Sequence, residues 1–174
     1  KDNDGQNALM SAAASGVAAA VRTVLAAGWC ELEATDAAGG TAFLAACFRG
    51  DVECMELLAE AGCNTATKDN SRLNALMCAA ASGKAAAVRT VLAAGWCELG
   101  ATNTAGGTAF SAACLRGDVE CMELLAVAGC NTAAKNNHGI NALMFAAASG
   151  KAAAVRAALA AGWCDLEARS DNGS

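Results

Sequence analysis

The chain repeats itself. Asn-Ala-Leu-Met stands at Asn7–Met10, Asn74–Met77 and Asn141–Met144, and residues 1–67 differ from residues 68–134 at only 12 positions. A 67-residue period carried through 174 residues restricts the fold to architectures built by stacking one unit on the next. Each block divides again, because Gly-Thr-Ala-Phe at Gly40–Phe43 and Gly107–Phe110 takes the place of Gln-Asn-Ala-Leu in the other half. The glycines Gly16, Gly50, Gly83, Gly117 and Gly150 fall at alternating steps of 34 and 33 residues. Twelve residues after each comes another: Gly28, Gly62, Gly95, Gly129 and Gly162.

One unit runs from the turn Asp36-Ala-Ala-Gly39 through Thr41, the apolar run Ala42–Cys47 and Gly50, to Leu57-Leu58 and Gly62. Glycine supplies a positive φ in the turn, and Thr or Asn supplies a helix N-cap. A short apolar helix then stops at one glycine and a longer helix stops at the next. In the second helix Val52, Met55 and Leu58 recur at helical spacing, with Glu53, Glu56 and Glu60 turned away. Neither helix alone buries its apolar face, so the units must stack.

Composition sharpens this. Hydrophobic residues make up 55% of the chain, yet much of that is alanine and aromatics are only 4%. Burial must come from many small contacts between closely approaching helices. A net charge of −5 argues against nucleic acid, which needs clustered Lys and Arg. The uncharged stretch Gly5–Val21, which no other exceeds in length, contains Gln, Asn, Ser and Gly and is too short and polar to span a bilayer, and no signal peptide opens the chain. The ten cysteines show no CxxC or Cys/His spacing, and nearly all lie in apolar helical patterns. They read as small core hydrophobes of a reduced chain, in preference to disulfides or a metal set. The expectation is a water-soluble protein of a reducing intracellular compartment. No cysteine has a histidine at a repeatable spacing and no loop cradles phosphate, so the sequence offers no enzyme, cofactor, metal or small-molecule substrate site.

The unit resembles the ankyrin repeat, whose pattern is D-x-x-G-x-T-P-L-H-x-A-A-x-x-G, a second helix, then L-L-x-x-G-A. The resemblance covers nearly the whole chain in copies starting near Asp2, Asp36, Asp69, Asn103 and Asn136. It implies a mostly α solenoid of stacked helix-turn-helix units joined by β-hairpin-like loops, with one array over 1–174. The repeats are then about 2–35, 36–68, 69–102, 103–135 and 136–169, with 170–174 opening a further one. The chain departs from the pattern in three ways. Ala8, Ala42, Ala75, Ala109 and Ala142 replace the proline. Met10, Leu44, Met77, Ser111 and Met144 replace the histidine. Arg72 replaces a turn glycine. Lys1 matches Lys68 and Lys135 in phase and neither end carries a polar cap, so a segment of a longer array is expected.

Two charge rows follow from the register. Arg22, Glu56, Arg89, Glu123 and Arg156 share one position, as do Val17, Asp51, Lys84, Asp118 and Lys151. With neighbouring helices about 10 Å apart, both rows are expected to pair along the outer face and fix the repeat order.

The resemblance also implies a protein partner on a concave face of loop tips and inner helices. The matching positions are Asn70, Ser71, Leu73, Asn137, His138 and Ile140 on the loops, and Phe48, Arg49, Leu115 and Arg116 on the helices. The two apolar–arginine pairs are the sharpest candidates, being the type of combination that anchors interfaces. The alternative is a structural element, such as a spacer, filament or accessory subunit seated against a neighbouring subunit.

Finally, Trp29, Trp96 and Trp163 each precede a cysteine. Removing the tryptophan restores the family register, so it reads as the inserted residue and Cys30 as the small core residue. The indoles are expected to pack over adjacent units; an exposed ridge for a partner is the other possibility.

Overall fold

The structure, a computed structural model, describes residues 5–28 and 30–163. These residues form ten helices and no strand. The first helix of each unit belongs to one layer: α1 (Ala8–Ser15), α3 (Ala42–Arg49), α5 (Ala75–Ser82), α7 (Ala109–Arg116) and α9 (Ala142–Ala148). The second layer comprises α2 (Ala18–Ala26), α4 (Val52–Glu60), α6 (Ala85–Ala93), α8 (Val119–Val127) and α10 (Ala152–Ala160). The architecture is a helical solenoid of stacked helix-turn-helix units. Lys1, Asp2 and the tail 170–174 lie outside the described residues, as does Trp29.

Local chemistry sets the helix ends. The Asn7 Oδ1 accepts from the Met10 N–H at 2.9 Å and the Thr41 Oγ1 from the Leu44 N–H at 3.3 Å, and Asn74, Thr108 and Asn141 do the same. Asn7 and Asn74 also donate through Nδ2 to the carbonyls of Glu31 and Glu98, tying the helix start to the segment leaving the second helix. α1, α3, α5 and α7 end where Gly16, Gly50, Gly83 and Gly117 take φ between +67° and +69°.

The loops are tight turns rather than strand pairs. The Asp36 Oδ1 accepts from the N–H groups of Ala38 and Gly40, and adjacent loops are joined by backbone bonds from Asn70 to Ala38, Thr104 to Ser71 and Asn137 to Ala105. Arg72 does not reshape its turn. It adopts the glycine conformation itself at φ +62°, its N–H donating to the Asp69 carbonyl.

The core lies between the layers. Phe43, Phe110, Leu9, Leu76, Met55, Met122, Leu58 and Leu125 are fully or almost fully buried, with alanines and cysteines filling between them. The polar caps Thr41, Asn74, Thr108 and Asn141 are also buried, and no buried polar side-chain atom among the described residues lacks a partner.

Two kinds of junction alternate along the stack. Where a Trp-bearing unit meets the next one, Arg22 bonds Glu53 and Arg89 bonds Glu120. At the same junctions the stems of Arg49 and Arg116 lie against Gly16 and Gly83. At the intervening junctions Ser82 and Lys84 cover Gly50, and Ser149 and Lys151 cover Gly117. There the ring of Trp96 meets Phe43 edge-on at 5.4 Å, and Trp163 meets Phe110 at 5.3 Å.

The expected charge rows are corrected. Arg22 and Arg89 pair with Glu53 and Glu120, one turn before the predicted Glu56 and Glu123. The Lys–Asp row forms no ion pair among the described residues. Asp51 and Asp118 instead accept from the N–H groups of Cys54 and Cys121, while the lysine stems cover glycine.

The Trp-Cys register is corrected as well. The Cys63 and Cys130 N–H groups donate back to Leu58 and Leu125; in the longer units Trp96 and Trp163 make the matching bonds to Val91 and Ala158. Tryptophan therefore takes the position following the helix, and Cys97 is the extra residue. Cys63 and Cys130 are buried, whereas Cys30 and Cys97 are only half-buried.

Candidate functional site

The first-helix layer carries a groove. Five residues after the core-facing Phe43 and Phe110 the helix has turned its other side outward, and position 48 of α3 and 115 of α7 hold Phe and Leu there. Phe48 is 61% exposed and Leu115 is 51% exposed. Between them α5 offers Cys78, Ala81 and the almost fully buried Met77, and α7 offers Ser111 and Ala112, so the floor is low. Phe145 of α9 closes the far end, and Leu73, Asn103, Ala105 and Asn136 of the loops form one rim. The cavity measures about 210 Å³, and none of its lining side chains is charged.

The structure thus brings together Phe48, Leu73 and Leu115 of the sequence candidates. Arg49 and Arg116 each follow a groove residue, but their stems rest on the preceding unit, so a junction contact accompanies any recognition role. Asn70 and Asn137 are exposed and also link the loops: their Nδ2 groups donate to the carbonyls of Ala37 and Thr104 in the preceding loop. Ser71 lends its carbonyl to Thr104, and its side chain is exposed. His138 is exposed at a loop tip, with its N–H donating to Asn136, and Ile140 is half-buried outside the groove lining. Trp96 and Trp163 are half-buried in the junctions rather than standing as a free row. Phe145 escaped the sequence reading. Its signal was present, since it occupies the position held by Ser11, Ala45, Cys78 and Ala112 in the other units.

The thiols are shielded. Burial pushes Cys54, Cys78, Cys114 and Cys121 up to about 12, which keeps them protonated and non-nucleophilic near neutral pH. Among the described residues no three His, Cys, Asp or Glu side chains converge as a metal set, and no helix is long and apolar enough to cross a membrane.

Stacked helix pairs, glycine-stopped first helices and an exposed groove along one layer define a repeat protein built to present a surface. A family model describing ankyrin repeats in three copies matches residues 9–96 and again 76–170. The chain belongs to the ankyrin-repeat family. No curated protein sequence matches it. Ankyrin repeats are generally protein–protein interaction modules and generally not enzymes.

Proposed function

We propose that this chain is a non-enzymatic recognition module that binds a protein partner in the concave groove between Phe48 and Phe145. The observation that carries the reading is the pair of large apolar side chains, Phe48 and Leu115, standing exposed over a small-residue floor. Exposing them costs solvation without serving the core, and removing such side chains from water on binding is worth about 1.5–3 kcal/mol each. The hydrogen-bonded loops and the glycine-seated junctions hold this surface in shape before a partner arrives, which lowers the entropic cost of association.

The test is a comparison of proteins co-purified with the wild-type chain, with F48S/L115S and with V127S, quantified by mass spectrometry. Val127 is 89% exposed on the second layer and serves as the control. Partners lost with F48S/L115S and kept with V127S support the reading. The opposite pattern refutes it and moves the interface to the other face. Light scattering on the purified chain separates the assembly alternative: a monomer fits a recognition module, and polymers favour a structural element.

A further inference from the structure

We propose that the groove takes an acidic segment, one in which carboxylates flank bulky apolar residues; this rests on reading the groove as the recognition face. Three arginines are next in sequence to residues of a lining that contains no charge. Arg49 and Arg116 follow Phe48 and Leu115 at the ends of α3 and α7, and Arg72 precedes the rim residue Leu73. All three are exposed and none makes an ion pair among the described residues. In a chain of net charge −5 this is a local exception.

The carboxylates nearest in sequence are otherwise engaged. Asp51 and Asp118, two residues beyond Arg49 and Arg116, accept from the Cys54 and Cys121 N–H groups at 2.9 Å. Asp69 accepts from the N–H groups of Ser71 and Leu73 at 2.9 and 2.8 Å. Along the rim itself, the loop aspartates Asp36 and Asp69 give way to Asn103 and Asn136, which make the same loop bonds without charge. An acidic ligand therefore meets amides where an unmodified repeat would repel it. Arg72 adds an independent sign, because it holds an exposed cation at φ +62° where glycine would sit without strain.

Spacing defines the ligand further. Arg49 and Arg116 lie two units apart, roughly 20 Å at about 10 Å per helix step, which about six residues of extended chain span. The fitting segment has two Asp or Glu residues five to seven positions apart with large apolar side chains between them.

The test is selection from a randomised twelve-residue peptide display library on the wild-type chain, with F48S/L115S as the reference. The expected winners carry the paired carboxylates and are lost on F48S/L115S. By fluorescence anisotropy the best winner binds R49Q/R116Q at least fivefold more weakly, and R49E/R116E selects lysine- and arginine-bearing peptides instead. Glutamine keeps part of the stem that covers Gly16 and Gly83, and R72G weakens the same peptide about twofold while relieving backbone strain, so unfolding does not mimic the effect. Winners that are lost on F48S/L115S but show no acidic bias, or whose affinity moves less than twofold in R49Q/R116Q, overturn the acidic inference and leave the groove reading standing. Winners indifferent to F48S/L115S, or no enrichment at all, overturn both.

Discussion

Two glycines with the same backbone separate conformational strain from packing between units. Gly50 ends α3 at φ +67° and Gly95 follows α6 at φ +68°. An alanine at either position is forced into the left-handed region, which costs roughly 1–2 kcal/mol before a partial offset from the unfolded chain. Here the two diverge. A Cβ at Gly95 has nothing within 4 Å, whereas one at Gly50 falls 2.6 Å from Ser82 Oγ and 2.9 Å from both Ser82 Cβ and Lys84 Cδ. The lysine stem swings aside easily. Ser82 does not, because its Oγ donates to the Ala79 carbonyl at 2.7 Å and accepts from the Lys84 N–H at 3.1 Å. Moving it sacrifices bonds worth about 1 kcal/mol each or forces the units apart at a similar cost. G95A should therefore lose about 1 kcal/mol and G50A about 3 kcal/mol. Adding S82G to G50A removes both serine contact atoms and should recover 1 kcal/mol or more as a coupling energy. Urea unfolding followed by circular dichroism and tryptophan fluorescence measures the wild type, G95A, G50A, S82G and G50A/S82G, with coincident curves testing two-state behaviour. Equal losses for G50A and G95A, or no recovery with S82G, would refute the packing argument.

Two further outcomes are expected. R72G should raise stability by about 0.5–1 kcal/mol in the same urea assay, since Arg72 already occupies the glycine conformation and glycine enters it freely. Alkali should destabilise the fold through its buried thiols. Cys78 and Cys114 are pushed up to about 12 by burial, so between about pH 9 and 12 the unfolded chain loses protons that the folded chain keeps. Stability then falls with rising pH by up to about 1.4 kcal/mol per unit per thiol, and C78A/C114A should flatten the decline. A urea midpoint unchanged from pH 8 to 10 would contradict this.

What the sequence made legible was local. Asn or Thr before an apolar run marks a helix start, and glycine marks its stop, because caps involve neighbours three or four residues away. The unburied apolar faces then required stacking, and the family resemblance gave its form. What escaped were directions across units. The register put Arg22 opposite Glu56, but the pair that forms is with Glu53, one turn earlier. Removing Trp29 gave a tidy alignment, yet the hydrogen bonds of Trp96 and Trp163 leave the cysteine as the added residue. Asn70 and Asn137 stood out as polar loop tips, but the bonds by which their amides tie neighbouring loops were not legible in the sequence. Within the groove, Phe48 and Leu115 stood out as large residues at an exposed position. Phe145 did not, because the loops and three other helices must be in place before its neighbours are visible.

The alternating junctions carry a consequence for how such a gene can change length. Arg22 and Arg89 reach forward to the next unit and the indoles of Trp96 and Trp163 reach back, and the neighbouring units are fitted to receive one or the other. Losing a single unit would set like against like, bringing Trp96 to Leu9 in place of Phe43 and Arg22 to alanine in place of Glu53. Gain or loss of 67 residues leaves every junction intact. Copy number is therefore free to drift only in pairs, and near-identical neighbouring blocks are the trace that unequal exchange would leave in such an array.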